Sequence, residues 1–96
     1  MYKPLDPLLH SELRLAVISM LINVEEVDFV YLKERTGATA GNLSIQIDKL
    51  NTAGYITIEK GYNGKRPRTT CRITTVGRKA FEAYIDALQS YIHPQG

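Results

Sequence analysis

Residues 60–79 read KGYNGKRPRTTCRITTVGRK, and this stretch decides how the chain is interpreted. It carries seven Lys and Arg residues and no Asp or Glu, whereas the whole chain has twelve basic and ten acidic residues and a net charge of +2. Two strand-like arms flank Asn63-Gly64, a dipeptide that suits the positive φ angles of a two-residue hairpin turn. Because concentrated positive charge can steer a phosphate backbone, the stretch predicts a hairpin whose tip contacts a polyanion.

Size and composition indicate one small globular domain. A chain of 96 residues buries roughly 60 to 65% of its unfolded surface, and 44% apolar with 23% charged residues is typical of a folded protein. The longest apolar stretch, residues 15–22, is far shorter than the roughly 20 residues of a membrane span. No secretory signal is seen, so the expected compartment is the cytoplasm, with no membrane partner. Cys71 is the sole cysteine, and neither a disulfide, a metal site nor a cofactor is expected.

Four helices are predicted around the hairpin. Asp6-Pro7 indicates a helix start, because a capping carboxylate precedes a proline at the first helical position. Asp28 and Thr39 are predicted to cap the second and third helices, and His93-Pro94 is expected to end the fourth. The predicted helices are residues 8–23, 29–36, 40–53 and 76–92, and the predicted hairpin strands are residues 55–61 and 69–74.

Hydrophobic spacing predicts which faces are buried. In the third helix, Leu43, Ile47 and Leu50 recur at helical spacing and form a narrow buried stripe. Residues 55–59 alternate between apolar and polar, which is typical of a half-buried strand. In the partner strand, Cys71 and Ile73 are expected to point inward. The predicted fold is mainly α with a small β-hairpin, in the order α-α-α-β-β-α.

Two helices joined by a glycine-containing connection and followed by a basic hairpin form a winged helix-turn-helix arrangement. Four segments are informative here: GNLS (41–44), AGYI (53–56), GKRPRT (64–69) and ITTVGR (73–78). Through these segments, and through residues 10–16 of the first helix, the chain resembles the stand-alone winged-helix regulators related to the ArsR and MarR families. The resemblance implies a transcriptional regulator that binds double-stranded DNA.

The resemblance implies that the third helix enters the major groove while the hairpin, or wing, reaches the backbone or minor groove. The residue types agree, since Asn42 or Gln46 can pair with adenine and an exposed Ile45 can pack on a thymine methyl group. The expected recognition-helix contacts are Thr39, Gly41, Asn42, Ser44, Ile45, Gln46 and Lys49, and the expected wing contacts are Lys65, Arg66 and Arg68. The alternatives are an ordinary solvated helix face and charges that merely protect a sheet edge.

A homodimer is expected, because the first helix is apolar almost all round and the last helix has two neighbouring apolar rows. Two-fold association through these helices would place two recognition helices one DNA turn apart, roughly 34 Å. The expected interface residues are Leu13, Val17, Met20, Tyr84, Leu88 and Tyr91. The alternative is a monomer in which the last helix folds back over the first.

Two other functions remain open at this point. A winged helix can serve as a protein-interaction module, which the modest net charge favours. A regulator can also sense an effector in a dimer cavity lined by Met20, Tyr84, Leu88 and Tyr91, or an oxidant at Cys71, beside the basic Arg72. His10 and His93, with Glu12, offer an interfacial metal or pH-sensing site. The sequence shows no nucleophile next to a base, no paired carboxylates and no glycine-rich phosphate loop. The protein is therefore not expected to be an enzyme.

Overall fold

The computed structural model describes residues 2–93 as four helices and a three-stranded antiparallel sheet. The elements are α1 (Glu12–Leu21), β1 (Val27–Asp28), α2 (Phe29–Thr36), α3 (Ala40–Thr52), β2 (Ile56–Asn63), β3 (Arg66–Ile73) and α4 (Thr75–Ile92). The strands lie in the order β1-β3-β2. The predicted winged helix-turn-helix fold is confirmed, with one short strand added. Pro94, expected to follow the last helix, lies outside the described residues.

Each helix begins at a side chain that accepts a hydrogen bond from the backbone N–H three residues later. These caps satisfy donors that the first helical turn leaves without a partner. The capping residues are Ser11, Asp28, Thr39 and Thr74.

The predicted first helix, residues 8–23, is too long. Asp6 does act as a cap, since its Oδ1 accepts the N–H of Leu8 at 2.9 Å, but only a single turn forms there. Ser11 then adopts an extended backbone with φ of −151° and starts α1 one residue later. A second capping residue therefore interrupts the helix that the first one began. Leu9, within the isolated turn, is fully buried in the core.

The wing is more regular than predicted. Its strands are paired from Ile56↔Ile73 to Asn63↔Arg66, so the two-residue turn is Gly64-Lys65 rather than Asn63-Gly64. Gly64 has a φ of 67°, which costs glycine nothing because it has no Cβ. The strands thus extend beyond the predicted limits of residues 61 and 69, and residues 59–68 are all exposed.

The strand β1 was missing from the prediction. It pairs Val27 with Cys71 and Asp28 with Thr70, which makes β3 the central strand. Two residues are too few to show the alternation that identifies a strand in a sequence.

The core lies between α1, the inner faces of α2 and α3, and the base of the sheet. Leu43, Ile47 and Leu50 are buried as the spacing predicted. The Cα radius of gyration is 14.6 Å, whereas a compact chain of this length has about 12 to 13 Å. The longest dimension is 56 Å, so parts of the molecule extend well beyond the core. Within residues 2–93, no helix is both long and apolar enough to cross a bilayer.

Candidate nucleic-acid interface

The face of α3 opposite the buried stripe is open to solvent. Asn42, Ser44 and Lys49 are exposed, and Ile45 keeps 55% of its surface accessible. Thr39 is also exposed, and its Oγ1 accepts the N–H of Asn42 at 3.1 Å. At the exposed Gly41, no atom lies within 4 Å of the position that a Cβ would occupy. This surface combines an amide, a hydroxyl, an apolar group and a cation, which together suit base edges and phosphates.

Gln46 differs from these neighbours because it is half-buried and hydrogen-bonded at both ends of its amide. Its Oε1 accepts from Nη1 of Arg14, and its Nε2 donates to Oδ1 of Asn42 at 3.0 Å. Arg14 also donates from Nε to the carbonyl oxygen of Leu8 at 2.6 Å. Sequence reasoning missed Arg14, because it lies on another helix 32 residues away and no local pattern connects the two positions.

The tip of the wing carries unpaired cations. Lys65, in the turn, and Arg66 are exposed and have no carboxylate within 4.0 Å among residues 2–93. Arg68 lies further down β3, where its Nη2 is 3.7 Å from Oδ2 of Asp28. Arg68 must therefore exchange this carboxylate for a phosphate if it contacts DNA, whereas Lys65 and Arg66 need not.

Two basic residues nearer the body of the protein bind to other parts of the chain. Arg72 pairs with Glu25 and Glu26 at 3.4 and 2.9 Å. Arg78 donates from Nη1 to the carbonyl oxygen of Ile22 at 2.9 Å. Within residues 60–79, Arg68 and Arg72 thus have carboxylate partners, whereas Lys65 and Arg66 at the wing tip have none among residues 2–93.

Tyr62 is a second residue that sequence reasoning missed. It lies opposite Pro67 near the wing tip and keeps 77% of its surface accessible. Since side chains alternate along a strand, Tyr62 and Pro67 face the opposite side of the ribbon from Arg66 and Arg68. Extending the predicted strand alternation beyond residue 59 could have identified Tyr62. An exposed aromatic ring beside free cations is a further candidate contact for a nucleic acid.

Cys71 is buried in the sheet, between Val27 and Ile58 on the neighbouring strands. Burial raises the pKa of its thiol to about 11. Because the thiolate is the reactive form, a thiol that stays protonated at neutral pH is poorly suited to sensing an oxidant.

Two of the expected interface residues belong to the core of the protomer. Val17 is 0% and Tyr84 is 4% exposed, so neither offers surface to a partner. The Tyr84 hydroxyl lies 3.1 Å from Nδ1 of His10, which accounts for its polar end. Sequence periodicity identified both residues as apolar, but it does not say whether the protomer itself covers them.

The other expected interface residues are distributed over two regions. Leu13 and Met20 are half-buried along α1, where they line a groove with residues at the end of α2. Leu88 is half-buried on α4, and Tyr91 is exposed and stacks on Tyr2 with ring centroids 4.6 Å apart. Lys3 extends the same contact, because its N–H donates to Oγ of Ser90 at 3.0 Å. The N-terminal segment and the end of α4 thus form one surface.

Of the residues expected to line an effector cavity between two protomers, Tyr84 is buried within the protomer. Met20 instead lines a cavity of about 340 Å³ with residues of β1, α2 and the wing. Over residues 2–93, no three His, Cys, Asp or Glu side chains are grouped so that they could hold a metal ion.

Comparison with known proteins identifies the family of this chain. Residues 13–92 match the family described as winged helix DNA-binding domain. An uncharacterised protein of Methanocaldococcus jannaschii is 36% identical over 76 residues, which cover 79% of this chain and 83% of that protein.

Solved structures show the same fold. A transcriptional regulator homologue from Pyrococcus horikoshii has a TM-score of 0.83 at 25% identity, with 91% of this chain and 86% of that chain covered. A mutant MarR from E. coli complexed with operator DNA has a TM-score of 0.73 at 22% identity, with coverage of 91% and 61%. Since the family match spans most of the sequence, the chain belongs to the winged helix DNA-binding domain family, and its structural neighbours are MarR-like transcriptional regulators.

Proposed function

We propose that this protein regulates transcription as a homodimer that binds double-stranded DNA, with α3 in the major groove and the wing on the backbone or minor groove. One observation carries the proposal. An open helix face with base-reading groups occurs in the same small domain as a projecting ribbon whose tip cations, Lys65 and Arg66, have no carboxylate partner among residues 2–93.

The exposed face of α3 supplies the readers. Asn42 can pair bidentately with adenine, Ile45 packs against a thymine methyl group, and Lys49 reaches guanine or a phosphate. Ile45 keeps 55% of its surface accessible, and an apolar base contact gives this exposed part a role. The N-terminus of α3 at Thr39 offers backbone N–H groups to a phosphate.

The wing supplies affinity rather than selectivity. Lys65 and Arg66 contact phosphates, and Tyr62 packs its ring on a sugar or a base edge at the opposite side of the ribbon. Contacts to phosphates position a protein on DNA but carry no sequence information. The wing therefore binds duplexes of any sequence, and α3 provides the sequence selectivity.

The homodimer is supported by the surface that α4 shares with the N-terminal segment. Tyr2, Tyr91 and Ile92 are exposed there, beside the half-buried Leu88. Exposed aromatic and aliphatic groups of this kind are typical of the centre of an interface. Two-fold association at this surface would set two α3 helices on successive turns of one face of the duplex.

Selection from randomised duplexes, followed by titration at several salt concentrations, tests this function. We expect a two-fold symmetric motif, and affinity that falls roughly 10³- to 10⁵-fold between 50 and 200 mM salt if about 6 to 10 phosphates are contacted. Arg66→Glu should weaken binding to all sequences alike, whereas Asn42→Ala should change discrimination at one base pair by roughly 1 to 3 kcal/mol. Absence of DNA binding at low salt would instead support a protein-interaction module.

A further inference from the structure

Arg14 connects α1 to the reading face of α3 without being part of that face. Its Nε is held by the carbonyl oxygen of Leu8, and its Nη1 donates to Oε1 of Gln46. Leu8 is fixed in turn, because its N–H donates to Asp6, which also accepts the hydroxyl of Tyr55. The guanidinium therefore has a defined position before any DNA is bound.

This arrangement fixes the direction of two amide side chains in succession. A guanidinium only donates hydrogen bonds, so Gln46 must turn its oxygen toward Arg14 and its NH₂ group toward Asn42. Asn42 accepts this bond at Oδ1, at 3.0 Å, which leaves its Nδ2 as the free donor. An isolated surface asparagine would present either end of its amide with similar ease.

We propose that Arg14 is a positioning residue for sequence recognition, acting through Gln46 to orient the Asn42 amide toward the bases. The inference rests on the proposed function, since it requires α3 to read the major groove. Asn42 then offers its Nδ2–H to a purine N7, while the second lone pair of Oδ1 remains available for an adenine amino group. Gln46, expected from the sequence to be a reader, supports the reader instead.

The direction of the amide makes a prediction that a purely structural role does not. Gln46→Glu keeps an acceptor for Arg14 but removes the donor to Asn42. The new carboxylate would accept from Nδ2 of Asn42, so the Asn42 amide would turn its oxygen toward the groove. The affinity for guanine, which presents only acceptors in the major groove, should then fall relative to the affinity for cytosine, which presents an amino donor.

The experiment starts from the operator that the wild-type protein selects, and the base pair tested is the one at which Asn42→Ala no longer discriminates. Affinities are measured for four duplexes that differ only at this base pair. For Gln46→Glu we expect the guanine-to-cytosine affinity ratio to fall at least fivefold, because the mutation exchanges a donor for an acceptor at the position that faces the base. Asn51→Asp is the matched control, because Asn51 is an exposed α3 residue and gains the same charge. It should weaken binding to all four duplexes equally.

A second variant, Arg14→Met, retains a long apolar side chain and removes the donors. Discrimination at the same base pair should fall at least fivefold, while affinity for unrelated DNA changes by about twofold or less. Added to Asn42→Ala, it should cause no further loss of discrimination, since residues that act as a unit are not additive. If Arg14→Met does not fold, Gln46→Glu decides the question alone.

The outcomes separate the inference from the function beneath it. A wild-type protein with no base preference would overturn both. A wild-type protein whose preference is lost in Asn42→Ala but is unchanged in Gln46→Glu and Arg14→Met would overturn the positioning role and leave the DNA-binding function intact. An Asn42→Ala variant that discriminates as well as the wild type at every base pair would also overturn the positioning role.

Discussion

Gly77 in the first turn of α4 packs directly against the backbone of Tyr55 at the start of the wing. A Cβ at position 77 would lie 2.8 Å from the Tyr55 carbonyl carbon and closer still to its oxygen. That carbonyl also accepts the N–H of Thr74, and the Thr74 hydroxyl donates to the carbonyl oxygen of Gly54 at 2.6 Å. The last helix and the base of the wing are therefore joined through backbone contacts that leave no room for a side chain.

Gly77→Ala should destabilise the fold, although alanine is the better helix former. The added methyl group meets backbone, which cannot move aside as a flexible side chain would, and overpacking of this kind costs roughly 1 to 3 kcal/mol or more. Thermal and denaturant unfolding measure the change. Gly61→Ala is the control, since no atom lies within 4 Å of its Cβ position, and equal stability of the two variants would contradict the prediction.

The hydrogen bond between Tyr55 and Asp6 predicts a loss of stability in alkali. The bond to Asp6, with a smaller contribution from burial, raises the pKa of Tyr55 from 10.0 to about 12. The folded protein then holds this proton more tightly than the unfolded chain does, so the contribution is fully present below pH 10. It is lost as the pH rises from about 10 to 12.

Tyr55→Phe removes this titration and serves as the comparison. We expect the free energy of unfolding of the wild type to fall more steeply than that of the variant between about pH 10 and 12. The difference between their tyrosinate absorbance titrations should give a pKa above the ordinary tyrosine value. Parallel stability curves would show that the Asp6 bond does not form in solution.

Asp28→Asn should strengthen binding to DNA without weakening the fold. Asp28 accepts the N–H of Tyr31 as the cap of α2, and asparagine caps equally well. Its negative charge, however, competes with phosphate for Arg68. An exposed pair contributes about 0 to 1 kcal/mol, so affinity should rise by up to about fivefold, with a steeper salt dependence. Unchanged affinity together with an unchanged salt dependence would mean that Asp28 does not compete with DNA for Arg68.

Ile92→Glu should dissociate the proposed homodimer. Ile92 is 64% exposed at the end of α4, and burying such a side chain against a partner contributes roughly 1.5 to 3 kcal/mol. Two-fold symmetry places the change on both sides, and the dimer dissociation constant should rise by at least about tenfold. Val76→Glu is the control, because Val76 is 57% exposed at the opposite end of the same helix.

Sedimentation over a range of protein concentrations distinguishes these two variants. We expect Ile92→Glu to shift toward the monomer and to lose affinity for a two-fold symmetric operator, while Val76→Glu sediments as the wild type. A wild-type protein that remains monomeric at all concentrations would contradict the dimer directly.

Much of the fold was predictable because it depends on neighbours in the chain. The stripe of Leu43, Ile47 and Leu50 needs only helical periodicity, and Asp28 and Thr39 cap helices through bonds to residues three positions away. Local signals failed where two of them competed, as at Asp6 and Ser11. They also failed where an element was too short to have a period, as at Val27–Asp28.

Within the candidate site, exposure was more predictable than hydrogen bonding. Asn42, Ile45 and Lys49 are exposed because the opposite face of their helix is buried, and the sequence shows that face. The engagement of Gln46 by Arg14 could not be foreseen from the sequence. The partner lies on another helix and approaches only after α1 and α3 have packed together.

The amino-acid sequence alone determined the winged-helix architecture, the exposed face of α3 and the concentration of positive charge in the wing, because these follow from periodicity and composition. Only the tertiary structure decided that Arg68 is paired with Asp28 and that Tyr84 is buried against His10. The residues of these pairs lie far apart in the chain. Whether two such residues meet depends on the packing of whole helices and strands, which no local pattern records.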